Sequence, residues 1–198
     1  MIDSKLLMSF GAELKNFAKG TTLFQQGDHA RYYYQVESGE VKMNNFNDEG
    51  KEFLQGIFTS GDSFGEPPLL IDEPYPANAE ALTDAAVYLL PKSNFFELQS
   101  AHPEAALAVS TRLAKRLYYK SIMASEISSQ DPEHRLLKLI DYFKANVDPV
   151  PKEEKYSVPF TRQQLADLTG LRVETVIRAI KSMEKKGKIS IQNRKIVR

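Results

Sequence analysis

The chain has no cysteine and no tryptophan, and only three histidines in 198 residues. Without cysteine there is no disulfide, no thiolate nucleophile and no cysteine-held zinc or iron–sulfur cluster. His29, His102 and His134 stand in no telling arrangement, so haem is not expected. Long apolar runs are missing as well, and nothing approaches the roughly 20 residues that a membrane span needs. The opening MIDSKLLMSFGAEL lacks the basic start and apolar stretch of a secretory leader, so the reading expects a soluble, cytoplasmic protein with no membrane partner. There is no Ser/His/Asp order, no metal-ligand spacing and no glycine-rich phosphate loop. Asp72-Glu73 reads as a solvated turn. No enzymatic activity is expected.

What is present suits an ordinary globular protein, with 42% hydrophobic and 26% charged residues. The length allows one large or two modest domains. Formal net charge is zero, yet the charge is unevenly spread. From Phe160 onward ten lysines and arginines face three carboxylates, a net +7, which leaves about −7 on the rest. A basic end on an acidic body suits a polyanion bound at that end. The plainer alternative is a solvated surface helix.

The hydrophobic pattern changes along the chain. Residues 4–18 carry Leu6, Leu7, Phe10, Leu14 and Phe17 at helical spacing. From Gly20 to Leu90, short runs such as TTLFQQ, YYYQVES, EVKMNN, EFLQGIF and AAVYLLP alternate with Gly/Asp turns. That texture predicts an antiparallel all-β sandwich or barrel. Prolines at 67, 68, 74 and 76 interrupt it with a loop or short helix. A long helix is expected from Pro103 to about Ser129. Its Leu113, Leu117, Ala124 and Ile127 follow a 3-4 spacing that fits a seam between two subunits, or packing on the β domain. Asp131-Pro132-Glu133 opens a further helix, with Asp as N-cap and Pro in the first turn. A domain hinge is placed near Ser128 to Asp131, and NVDPVPKEEKYS reads as a polar connector.

The stretch FTRQQLADLTGLRVETVIRAIKSMEKKG reads as two short helices joined by a turn at Thr169-Gly170-Leu171. Thr161 is the candidate cap of the first and Gly187 the stop of the second. Leu165, Leu168, Val176, Ile180 and Met183 are expected to face inward. KISIQNRKIV then alternates about a Gln192-Asn193-Arg194 turn, as a β-hairpin does. Helix-turn-helix followed by a hairpin is a winged helix, whose second helix enters the DNA major groove. Glu174, Thr175 and Arg178 share one face of that helix. Arginine can make two hydrogen bonds to guanine, and a carboxylate can accept from cytosine.

Three blocks carry a specific resemblance. The Glu-Thr-Val-x-Arg core at Glu174, Thr175, Val176 and Arg178, within LADLTGLRVETVIRAIKSMEKKGKI, resembles the recognition helix of the bacterial Crp/Fnr transcription regulators. Gly20, Leu23, Phe24, Gly27, Asp28, Gly39, Val41 and Lys42 match that family's β-roll, and GDSFGEPPLL at 61–70 matches the opening of its phosphate-binding cassette. The long helix lies where the family has its dimerisation helix. The resemblance implies an α+β protein: an N-terminal antiparallel β-roll (a jelly-roll-like double-stranded β-helix) over 1–102, a dimerisation helix over 103–130 and a winged helix-turn-helix over 131–198. It further implies a homodimer on double-stranded DNA, with RNA polymerase as a further partner and a small-molecule effector of unknown identity.

The departures bear on that effector. Cyclic-AMP receptors of the family follow their Gly-Glu with an Arg-Ser/Thr-Ala triplet that binds the cyclic phosphate. Tyr75 and Pro76 stand at the Arg and Ser/Thr positions here, before Ala77 and Asn78. Neither restores the charge-assisted phosphate contact, so cyclic AMP is not the expected signal. Gly65, Glu66, Tyr75, Ala77, Asn78, Lys120 and Ser121 mark the remaining candidate effector pocket. On the DNA side, Val173 precedes Glu174 where cyclic-AMP receptors carry Arg. This is similar to the Fnr branch, with a half-site beginning TTGAT rather than TGTGA. The expectation is that Arg178 reads a guanine, Glu174 a cytosine and Val173 a thymine methyl. Arg162, Gln163, Thr175, Lys181 and Arg194 would position the module on phosphates. The rival reading, a ligand-binding regulatory protein that does not work on DNA, leaves residues 160–198 without a purpose.

Overall fold

Eight short strands of the N-terminal half pair into two antiparallel sheets, and apart from β4 and β5 the partners lie far apart in sequence. The computed structural model describes residues 2–50, 52–128, 131–147, 151 and 154–198. They divide into two units, Met1–Ala114 and Lys115–Arg198. The first runs α1 (Ser4–Ser9), β1 (Glu13–Phe17), β2 (Thr22–Phe24), β3 (Tyr32–Ser38), β4 (Val41–Phe46), β5 (Glu52–Phe58), β6 (Ser63–Phe64), α2 (Glu66–Ile71), β7 (Asn78–Ala81), β8 (Ala85–Pro91) and α3 (Lys92–Ala101), and α4 (Pro103–Ser128) begins in it. The sheets have the orders β1-β8-β3-β6 and β2-β7-β4-β5. First strand pairs with last and second with seventh, which rolls the ribbon into the expected jelly-roll form.

Alternation along β3 shows how the sequence builds two layers. Tyr33 stacks on Phe95 of α3 with ring centres 4.6 Å apart, whereas Tyr34 meets Phe24 and Phe64 on the opposite face. Gln35 is buried and reaches the chain start, accepting from the Ile2 amide at 3.1 Å and donating to the Ile2 carbonyl at 2.9 Å. The Gly39 turn admits no other residue, because a Cβ there would lie 2.2 Å from the Asp84 carbonyl oxygen.

The helix expected over residues 4–18 is shorter than the pattern suggested. It ends at Ser9, and Gly11 (φ 85°) turns the chain into β1, where Leu14 pairs with Tyr88 and Phe17 with Ala85. Backbone pairing to β8 here overrides a spacing that also fits a helix. Prolines 67 and 68 sit inside the short α2, in its first turn, where a missing N–H costs nothing. A separate helix ahead of α4, α3, was not among the expected elements.

In the second unit Asp131 caps α5 (Pro132–Tyr142) by accepting from the Glu133 amide at 2.9 Å. A π-helical turn over Phe143–Val147 follows. Then come α6 (Arg162–Thr169), α7 (Val173–Lys185), β9 (Ser190–Gln192) and β10 (Lys195–Val197). Leu136, Leu139, Ile140, Leu165, Val176, Ile180, Met183 and Ile196 are fully buried between them, each worth about 1.5–3 kcal/mol. Tyr156 and Arg198 exchange two backbone hydrogen bonds of 2.7 and 2.9 Å, adding the 156–158 segment beside β10. Buried Arg135 ties α5 to the end of α6 by donating to the Thr169 carbonyl at 3.0 Å. The expected hinge falls partly on residues 129 and 130, and the expected connector on 148–150, 152 and 153, outside the described residues. No described helix is long and apolar enough to cross a membrane.

Candidate nucleic-acid interface

Helix α6 starts on a capping box. The Thr161 hydroxyl accepts from the Gln164 amide at 3.1 Å, and the Gln164 side chain accepts from the Thr161 amide at 2.8 Å. It ends at Gly170 (φ 69°), a left-handed cap whose N–H donates to the Ala166 carbonyl. Val176, Ala179, Ile180 and Met183 hold α7 to the core by one face. The opposite face therefore projects outward, with Glu174, Ile177, Arg178, Lys181 and Lys185 all exposed. Arg172 caps α7 without a side-chain bond, so the first-turn N–H groups remain open to an anion. Lys181 and Lys185 make no ion pair among the described residues, whereas Lys186 and Lys188 are drawn to Glu133 at 2.7 and 3.5 Å.

The candidate residues divide by what they touch. Glu174, Arg178 and Lys181 are free of the core and share one face. Val173 is half-buried and packs against the core edge, and Thr175 is half-buried too. Arg162 donates to the Arg194 carbonyl at 3.0 Å, and Gln163 donates to the buried Asp167 carboxylate at 2.8 Å. Those two side chains make bonds within the module, Arg162 at its surface and Gln163 along α6. Arg194 is exposed at the hairpin turn. Ile177 was missed by the sequence reading: it is 40% exposed in the middle of the charged face. Helical arithmetic already held the signal, since Ile177 lies three residues from Glu174 and four from Lys181.

The residues set by the resemblance against a cyclic phosphate form a filled core. Tyr75 is only 2% exposed, and its ring stacks on Phe24 with centres 3.6 Å apart. Phe24 also meets Tyr34 and Phe64, which in turn meets Phe58. A Cβ added at Gly65 would lie 3.1 Å from the Tyr75 ring and 3.4 Å from Phe24. Burial holds the Tyr75 hydroxyl well above its usual range and, with Tyr32 nearby, pushes Tyr34 up to about 12. Glu66 is fully buried and accepts from the Ser63 hydroxyl. Ala77 is buried, and Asn78 is half-buried with its side-chain oxygen accepting from the Gln26 amide at 2.9 Å. An aromatic stack with no cation in it does not fit a cyclic phosphate. Lys120 and Ser121 belong to the other unit; both are exposed, and the Ser121 hydroxyl donates to the Leu117 carbonyl at 3.0 Å within α4.

On α4, Leu113 is half-buried against the β core, whereas Leu117 is 67% exposed and Ala124 is exposed. The side chain of Ile127 lies outside the described residues. Leu107, Ser110, Ala114, Leu117, Ser121 and Ala124 form an exposed stripe with 3-4 spacing, which keeps Leu117 and Ala124 of the expected set and leaves out Leu113.

Comparison with known proteins follows the same division. A cyclic nucleotide-binding domain family matches residues 14–102, and a Crp-like helix-turn-helix domain family matches residues 134–198. The chain is similar to the cAMP-activated global transcriptional regulator CRP of Salmonella typhimurium, 25% identical over 93% of this chain and 88% of that protein. A probable transcriptional activator of Rhizobium leguminosarum is 23% identical, covering 88% of this chain and 72% of the other. Among solved structures, the c-di-GMP responsive regulator CLP of Xanthomonas campestris superposes with a TM-score of 0.78 at 22% identity, covering 98% of both chains. FixK2 of Bradyrhizobium japonicum gives 0.75 at 22% identity, covering 94% of this chain and 91% of that one.

Proposed function

The chain belongs to the Crp/Fnr family of DNA-binding transcription regulators, and we propose that it works as a homodimer that reads an inverted repeat without a cyclic nucleotide. The observation that carries the base-reading part is the outward face of α7, where Glu174, Ile177, Arg178 and Lys181 project from a helix anchored by Val176, Ile180 and Met183. Arg178 has the reach and the two parallel donors for a guanine, Glu174 accepts from cytosine, and Val173 with Ile177 offers apolar contact to thymine methyls. Lys181 and the open first turn of α7 suit phosphates, and Arg194 offers a further exposed cation at the hairpin tip. Thr175, half-buried, has its hydroxyl left for the backbone. RNA polymerase and a cytoplasmic setting follow from the family reading.

Ligand independence is supported by the Tyr75–Phe24 stack. A ligand that switched this protein by entering there would first have to displace a buried ring pair. The dimer reading is supported by the exposed stripe on α4 with its small residues Ser110, Ala114, Ser121 and Ala124, which allow close approach of a second helix. The test is binding of Arg178→Ala to the repeat and to scrambled DNA. The expected loss is about 1–3 kcal/mol on the repeat alone, with relaxed preference at one base pair of each half-site. Equal losses on both DNAs would contradict the base-reading role.

A further inference from the structure

The hairpin of the second unit reverses on two residues, Asn193 (φ 48°) and Arg194 (φ 65°), between the pair Gln192 and Lys195. Two successive positive φ values define a turn whose twist matches the strands, and it favours Asn first and glycine second. The second position here holds arginine, whose Cβ is strained in the left-handed region that glycine occupies freely. A turn needed only to reverse the chain gains from glycine. This one accepts strain and presents an exposed guanidinium at its tip. The backbone beneath is held from outside, because Arg162 in the first turn of α6 donates to the Arg194 carbonyl at 3.0 Å. The capping box fixes that first turn. The tip residues Gln192, Asn193, Arg194 and Lys195 are all exposed and include no carboxylate.

We propose that Arg194 inserts into the minor groove beside the half-site read by α7 and selects a narrow, A·T-rich groove there. The proposal rests on the DNA-binding reading above and adds base pairs outside it. A groove about 6 Å wide admits one extended side chain. Narrow A·T tracts concentrate negative potential that attracts arginine. A guanidinium is more weakly hydrated than an ammonium, so it enters a narrow groove at lower desolvation cost than lysine. Arg162 is then a positioning residue for the tip and not a phosphate contact.

The test measures binding of the full-length protein to one inverted repeat whose flanks, three base pairs on either side of each half-site, are A·T, G·C or inosine·cytosine. Inosine lacks the guanine 2-amino group, so its minor groove resembles A·T while its major-groove face stays that of G·C. Wild type is expected to bind the A·T and inosine·cytosine duplexes roughly five- to tenfold more tightly than the G·C duplex. R194G, which relieves the turn, should bind all three alike at the G·C level with its half-site preference intact. R162A should weaken the flank preference without touching the half-site preference. Equal losses by R194G on all three duplexes would reduce Arg194 to a phosphate contact and overturn the proposal. So would a wild type that treats inosine·cytosine as it treats G·C. A wild type with no preference for the repeat over scrambled DNA would overturn the α7 reading, and this proposal with it.

Discussion

At the scale of single residues, the proposed ligand independence turns on Tyr75. Its ring lies on Phe24 where a phosphate-binding roll needs a cation and space. Tyr75→Ala should cost about 3–5 kcal/mol, as for other buried aromatics, read as a lower denaturation midpoint. A loss under about 1 kcal/mol would mean that the stack contributes little. Glu133 acts at the other end of the chain. Hydrogen bonds from Lys186 and Ser182, with Lys188 nearby, hold its carboxyl at about 2. A depressed carboxylate contributes stability above its unfolded value of about 4.3, lost as pH falls toward 2. The pair is near the surface, so the effect is small. Glu133→Gln should lower neutral stability slightly and flatten the acid limb between pH 4.5 and 2, so that the two proteins converge near pH 2. Superimposable acid limbs would contradict the assignment.

At the scale of elements, what the sequence made legible depended on how local the cause was. Caps at Asp131 and Thr161, the stop at Gly187 and the hairpin turn follow from backbone chemistry within a few residues, and each was readable. Strand β1 was not, because its state is set by β8, some seventy residues away. The inward set of α7 was readable from its period, but Ile177 was given no place on either face, although its spacing from Glu174 and Lys181 puts it on the exposed one. The α4 stripe shows the same limit. Its spacing fits more than one face, and only packing of Leu113 on the β core tells them apart. Leu117→Asp places a charge on the exposed stripe. The expected result is a monomer by light scattering at concentrations where wild type is a dimer, with unchanged helicity by circular dichroism. A dimeric L117D would move the interface elsewhere.

At the scale of the whole molecule, two units with opposite character are joined in one chain. The acidic β-roll carries a buried aromatic stack, and the basic winged helix exposes Glu174, Arg178 and Lys181 on one face. Resemblance alone pointed to a sensor coupled to an output. The Tyr75–Phe24 stack favours the proposed reading, in which output is set by protein abundance and not by a cyclic nucleotide. The proposed dimer engages half-sites about one helical turn apart. Basic residues concentrated at one end predict affinity that falls steeply with salt. The most direct measurement is fluorescence anisotropy of the ligand-free protein on a labelled inverted repeat of TTGAT-type half-sites, at fixed salt, with and without cyclic AMP, cyclic GMP and c-di-GMP. Tight binding that prefers the repeat over scrambled DNA, and does not change with any of the three nucleotides, is the result predicted. Binding that becomes specific only when one of them is added would contradict it.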